Sequence, residues 1–255
     1  MSSPAANPSL DILAIAAHRD DVEQTCGGTL LKAARRGQST GILDLTQGEL
    51  GTRGTAEDRA READDAAKIL GVIWRRVLDI PDGRVENTWE NRLKVASVIR
   101  ETRPRVVILP YWKGRHPDHY TCSVLGYEAC FLAGLAKIAL SSQQSAVSPE
   151  TSILSPHRPF KIVYATLYYD VRPTFVVDIS DEFEGKFASI MAYKSQFSDQ
   201  EAGKDLFPAH DEIRTRIDTM ARFYGMLGGV TYAEPFLQKE IGLVDDLLAI
   251  PVKSI

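Results

Sequence analysis

The chain is short of several things that would narrow its role. Of its 255 residues only three are cysteine, Cys26, Cys122 and Cys130, with no CxxC pair and no even framework. That excludes a disulfide scaffold and suits buried thiols in a reducing cytoplasm. No apolar run is long enough to span a bilayer, so no membrane role is expected. The opening MSSPAANPSL lacks the charged-then-apolar order of a signal peptide and reads as a short frayed tail over residues 1–9. Positive charge is not gathered into a block: 30 Lys and Arg stand against 34 Asp and Glu, a net charge of −4, which gives nucleic acid nothing to bind. A GxSxG elbow, a GxGxxG loop and a P-loop are all missing. There is no internal repeat, and no linker that would split residues 10–255 into two domains.

What is present is an alternation of buried strands and helices. Asp11–Ala17, Ser39–Leu45, Trp74–Leu78 and Arg105–Leu109 read as strands. Helical patterns run from about Gly27 to Arg36, over Thr55–Leu70 with Gly71 as its stop, over Trp89–Arg103 with Pro104 behind it, and over His119–Leu140. The polar stretch SSQQSAVSPETS reads as a surface loop. Two more strands are expected at Lys161–Tyr169 and Thr174–Asp178, and helices at Asp181–Ser195 and Pro208–Met226. Strands alternating with helices imply βαβ units and right-handed crossovers. The expectation is an α/β fold, one three-layer αβα domain with a Rossmann-like, mainly parallel sheet.

Function in such a sheet belongs at the carboxyl ends of the strands, where strand order reverses. For a 3-2-1-4-5 order that point lies between the first and fourth strands. The first runs into His18-Arg19-Asp20-Asp21 and the fourth into Pro110–Asp118 and His119. Two segments about a hundred residues apart, both rich in His and Asp, are thus expected to face one crevice.

Zinc takes imidazole and carboxylate ligands, and a catalytic site keeps one position open for water. His18 and Asp21, three apart in a strand-to-helix turn, can converge on one ion, with His119 as the third ligand. Asp20 is then a spare carboxylate beside the metal, suited to a general base. His116 and Asp118 belong to the same HPDH tetrad, and an imidazole backed by a carboxylate suits a developing oxyanion. The competing readings are helix caps for Asp20, Asp21 and Asp118, and solvated loop histidines. Two His and one carboxylate also describe non-haem iron oxygenases. Gly27-Gly28 reads as close helix–strand packing or a loose helix start.

AAHRDDVEQTCGGTL resembles the AHPDD…GGTL signature of the PIG-L/LmbE-like zinc deacetylases. The resemblance runs on through DLTQGELGTRGT, READDAAKILG, PYWKGRHPDH, FVVDISDEFEGK and AYKSQF, most of the chain. The last three segments are similar to the subgroup of bacillithiol-biosynthesis deacetylases, which remove acetate from N-acetylglucosaminyl malate. The resemblance implies zinc, or alternatively ferrous iron, one per subunit, on His18, Asp21 and His119. It implies Asp20 as general base, and protonated His116 with Asp118 as its partner at the oxyanion. It places Arg59, Arg115 and Tyr193 at the substrate pocket, where the two arginines could grip malate carboxylates. Arg59, at the start of a helix, is expected to swing over the crevice. The resemblance also implies a cytoplasmic homo-oligomer, commonly a hexamer.

One departure is visible. Arg19 stands where the family usually has Pro, which leaves the turn without a fixed φ and puts a charge near the pocket rim. Alternatives outside this reading are action on another N-acetylglucosamine derivative or thiol conjugate, an iron oxygenase, and a non-catalytic sugar-binding protein.

Overall fold

The protein was analysed as a computed structural model that describes residues 8–141, 153–166, 170–198 and 208–252. In chain order its elements are β1 (Ile12–Ala16), α1 (Asp21–Arg35), β2 (Thr40–Asp44), α2 (Ala56–Leu70), β3 (Trp74–Val77), α3 (Trp89–Thr102), β4 (Val106–Pro110) and α4 (Pro117–Ala133). They continue with β5 (Lys161–Ala165), β6 (Phe175–Asp178), α5 (Phe183–Met191), α6 (Lys194–Phe197), α7 (His210–Gly228) and β7 (Ala233–Leu237).

The strands form one sheet in the order β3-β2-β1-β4-β5-β7-β6. The pairs from β3 to β5 are parallel, while β7 runs antiparallel to both β5 and β6. The 3-2-1-4-5 order expected from the alternation is therefore present. Strand side chains alternate between faces. Leu13 and Ile15 of β1 join a core with Val95, Val98 and Ile99 of α3 and Cys122, Leu125 and Ala129 of α4. Ala14 and Ala16 face the other way, against Val22, Cys26 and Leu30 of α1. Helices on both faces and apolar strands between them give the three layers.

Local chemistry explains several element ends. Thr55 and Asp58 form a capping box at the start of α2, and Gly71 closes it in a left-handed conformation at φ 67°. The Thr88 hydroxyl caps α3. The close-packing reading of the double glycine applies to Gly28: a Cβ there would sit 2.9 Å from Ile179.

Four expectations shift. The first helix starts at Asp21, with a break at Cys26 (φ −141°, ψ 19°), so the pattern from Gly27 captured only its second segment. α4 spans Pro117–Ala133 and stops at Gly134, well short of Leu140. The helix expected over Asp181–Ser195 is divided into α5 and α6. β7 was not expected, because AEPFL is short and carries a proline, which argues against a strand interior. Most of the SSQQSAVSPETS stretch, and the end of the Lys161–Tyr169 strand, lie outside the described residues. The three cysteines are free thiols, all buried.

Candidate metal centre

Parallel strands β1 to β4 all end at the same sheet edge, so the loops that follow them meet there. The loop after β1 brings His18 and Asp20, with Asp21 opening α1. The segment after β4 brings His116 as the N-cap of α4, then Asp118 and His119 within its first turn. The segment after β3 adds Asp82, a residue the sequence reading missed.

His18 Nδ1 lies 3.2 Å from His119 Nε2 and 3.4 Å from Asp21 Oδ2, and His119 Nε2 lies 3.2 Å from Asp21 Oδ1. Tetrahedral zinc with bonds near 2.0–2.1 Å separates its ligand atoms by about 3.3–3.4 Å. The three side chains have the donor types for such an ion, and the two imidazole nitrogens stand near that spacing, with Asp21 meeting His18 through Oδ2 and His119 through Oδ1. Asp21 is oriented by its other contact, in which Oδ2 accepts the His18 backbone N–H at 3.0 Å.

The opposite edge of the His18 ring meets two more carboxylates. Nε2 is 3.1 Å from Asp82 Oδ1 and 3.3 Å from Asp118 Oδ2. His18 with Asp82 and Asp118 is therefore a second group that could hold a cation, and His18 with His116 and His119 a third. The carboxylates of the second group are already engaged. Asp118 accepts the N–H groups of Gly83 and Val85, and Asp82 Oδ2 accepts that of Leu50. Their geometry suits orienting His18 through Nε2–H, leaving the Nδ1 lone pair for a metal. Burial disfavours a charged His18, but Asp118, Asp21 and Asp82 outweigh it and raise its pKa to about 12. Three carboxylates around one imidazole make this a place that favours a cation.

Asp20 adjoins the triangle. Its backbone has φ 101°, one of two positive-φ residues other than glycine among the described ones. That is a costly conformation for a side-chain-bearing residue and something must hold it. Arg59 does so: its Nη2 donates to the Arg19 carbonyl at 2.5 Å and to Asp20 Oδ1 at 3.2 Å. Gly48, at φ 72°, makes room, since a Cβ there would come within 2.5 Å of Arg59 Nη1. Burial raises the Asp20 pKa to about 7 against the opposing pull of Arg59, with Asp21 adding to the rise. The Asp20 side chain makes no cap bond to α1, so the helix-cap reading fails for it. Arg59 is buried and held; it does not swing freely over the crevice.

The HPDH tetrad differs from the expected protonated His116 backed by Asp118 in two respects. His116 does not pair with the Asp118 carboxylate, which faces His18. Instead His116 Nδ1 accepts the Asp118 backbone N–H at 3.2 Å and so caps α4. With Nδ1 accepting, the ring proton belongs on Nε2. Burial and the nearby His18 and His119 charges lower the His116 pKa, favouring the neutral ring. Asp118, too, orients His18 and does not cap the helix.

Tyr193 is fully buried away from the crevice, with its hydroxyl donating to Glu23 at 3.0 Å. Glu23 pairs with Arg75, which also grips Asp44 through two bonds. Tyr193 is thus part of a core network, which its place in AYKSQF did not reveal. Arg19 also turns inward: its Nη1 donates to the Ala56 carbonyl at 2.9 Å, tying the turn to α2 and leaving no charge at the rim. Arg115 is exposed on the loop before His116. Neither Asp82 nor Lys113 was expected here. The Pro81-Asp82-Gly83 turn just past a strand end at the same sheet edge is the signal that could have found Asp82.

Asp21 and His119 line the top of a narrow crevice of about 30 Å³ between α1 and strands β1, β4 and β5. Its floor is apolar, with Ala14, Ala16, Val22, Cys26, Ile108 and Ala165, and Tyr111 and Lys113 also line it. A single water needs roughly 10–15 Å³ on this measure, so the space suits a group of about two heavy atoms.

Comparison with known proteins gives the family. Residues 13–130 match the family model described as "PIG-L: GlcNAc-PI de-N-acetylase". A diacetylchitobiose deacetylase from Thermococcus kodakarensis is 32% identical over 234 residues, covering 88% of this chain and 80% of that protein. A 1D-myo-inositol 2-acetamido-2-deoxy-alpha-D-glucopyranoside deacetylase from Catenulispora acidiphila is 27% identical, covering 75% and 81%. Among solved structures, a conserved protein from Thermus thermophilus is 38% identical, with a TM-score of 0.77 over 92% of this chain and 98% of that one.

Proposed function

Since this chain belongs to the PIG-L family of deacetylases, we propose that it is a zinc-dependent hydrolase that removes the acetyl group from an N-acetylglucosaminyl conjugate, N-acetylglucosaminyl malate first among the candidates. It is an amide-hydrolysing enzyme of GlcNAc-type substrates. The observation that carries it is the His18–Asp21–His119 triangle with the Asp20 carboxylate beside it.

When bound there, the metal would polarise the amide carbonyl and acidify the attacking water. The remaining work falls to the chain. Asp20, held by Arg59, accepts the water's proton and passes it to the departing nitrogen. His116, neutral and with its proton on Nε2, donates to the oxygen as it gains charge. The carbon–nitrogen bond breaks, releasing acetate and a free amino sugar. Asp82 and Asp118 keep His18 turned toward the metal.

For the malate conjugate, the cations at hand are Arg115 and Lys113. The identity to a diacetylchitobiose deacetylase favours a second reading, a neutral glycan conjugate. A cytoplasmic setting is supported by the three buried free thiols, and no described helix is long and apolar enough to cross a membrane. Self-association is supported by α4, whose outer face carries exposed Tyr120, Val124, Tyr127 and Phe131 at helical spacing. Light scattering on the purified chain tests it.

The deciding experiment measures acetate released from N-acetylglucosaminyl malate, diacetylchitobiose and N-acetylglucosamine by metal-loaded and chelator-treated protein. Release only with metal, fastest from the malate conjugate, is expected. Faster release from diacetylchitobiose would favour the second reading, and no release from any of the three would overturn both.

A further inference from the structure

The break in α1 at Cys26 separates one turn, carrying Asp21, from the rest of the helix. In an unbroken helix the Gly28 N–H would donate to the Gln24 carbonyl. Here an ion pair from two distant elements takes up both groups. Lys186 of α5 donates to the Gln24 carbonyl at 2.8 Å, and Glu234 of β7 accepts the Gly28 N–H at 2.9 Å. Glu234 also accepts the Thr29 N–H at 2.7 Å and the Thr29 hydroxyl at 2.6 Å. Lys186 and Glu234 meet each other at 2.5 Å, and both are almost completely buried. The pair takes up the Gln24 carbonyl and two helical N–H groups, those of Gly28 and Thr29, and splices the two segments.

We propose that Lys186 and Glu234 are positioning residues that set the angle of the Asp21-bearing turn and thereby the geometry of the metal site. The proposal rests on the metal reading given above. The lever is short but sufficient. Asp21 lies five residues before the break, about 7.5 Å along the axis. A swing of about 10° at Cys26 would move it by about 1.3 Å, whereas metal–ligand bonds tolerate only about 0.2 Å. A buried ion pair contributes little net stability over apolar residues of the same volume. Its use here is the fixed direction of its bonds, which an apolar plug would not supply.

The test is zinc affinity, measured by chelator competition, together with thermal unfolding of apo and zinc-loaded protein. Stoichiometric zinc binding by the wild type tests the metal reading by itself. If that holds, Glu234→Gln should weaken zinc binding about 10- to 100-fold, as loss of a group orienting a ligand does. The zinc-induced rise in Tm should shrink with it, because that rise depends on affinity. Lys186→Arg, which keeps the charge and the donor, should recover most of the affinity that Lys186→Met loses. A folded Glu234→Gln variant with zinc affinity within threefold of wild type, and only a lower apo Tm, would show a structural role and overturn the proposal. Should Glu234→Gln fail to fold, Thr29→Ala removes one bond to the carboxylate and leaves the ion pair in place. It should weaken zinc binding several-fold with little change in apo Tm, and unchanged binding would equally overturn the proposal.

Discussion

Arg59 holds Asp20 by both its carboxylate and the peptide in front of it, through one guanidinium nitrogen that reaches Asp20 Oδ1 and the Arg19 carbonyl. An arginine expected at the substrate thus supports a base, and the two roles separate by experiment. A charge-assisted hydrogen bond is worth about 1.5–3 kcal/mol, roughly ten- to a hundredfold in rate. Arg59→Ala should lower kcat by at least that much on every substrate, charged or neutral, with metal content intact. Arg59→Lys should restore part of it, because both bonds come from one nitrogen and an ammonium nitrogen also carries several donors. A loss confined to carboxylate-bearing substrates would return Arg59 to the substrate.

Asp20 itself should be separable from the metal. Asp20→Asn should retain stoichiometric zinc and lose about 10²–10⁴-fold in kcat. Near-normal turnover in the metal-replete variant would remove Asp20 from the reaction.

The pH dependence follows from the same burial. A base works deprotonated, and Asp20 has its pKa raised to about 7 by desolvation. Activity should therefore fall as pH drops through that value. A bound cation favours the carboxylate and moves the limb lower, so the ascending limb of kcat/KM in zinc-loaded enzyme should lie at or below pH 7. Its disappearance in Asp20→Asn is the check.

His119→Ala should lose metal and activity together. Elemental analysis showing full occupancy in this variant would exclude His119 as a ligand. The same analysis on Asp82→Asn should show weakened but not abolished binding, since Asp82 faces His18 at 3.1 Å from the side opposite His119.

The crevice predicts acyl selectivity. About 30 Å³ over an apolar floor accommodates the methyl end of an acetyl group and little more. A methylene that does not fit changes discrimination by about 10- to 200-fold. N-butyryl glucosamine conjugates should react at least tenfold more slowly in kcat/KM than their acetyl counterparts. Cys26→Ala, which removes a buried sulfur from the floor, should narrow the gap. Equal rates for both acyl groups in the wild type would mean that the acyl chain lies elsewhere.

The sequence alone determined what depends on local pattern. Buried runs such as DILAIAA and RVVIL, with amphipathic segments between them, implied the parallel half of the sheet and its reversal between the first and fourth strands. That placed His18 and His119 at one crevice. The motifs named the chemistry because ligand types and their spacing are local properties. Tertiary structure decided everything that depends on who meets whom. Asp82 sits in an ordinary Pro-Asp-Gly turn, and only the convergence of strand ends sets it against His18. Arg59, Tyr193 and Arg19 carry polar groups that a linear pattern assigns to solvent or substrate, yet each is buried with a partner 37 to 170 residues away. The break at Cys26 was equally out of reach, since the groups that take up its freed hydrogen bonds, Lys186 and Glu234, come from the other end of the chain. A buried polar group must be satisfied, but sequence does not say by whom.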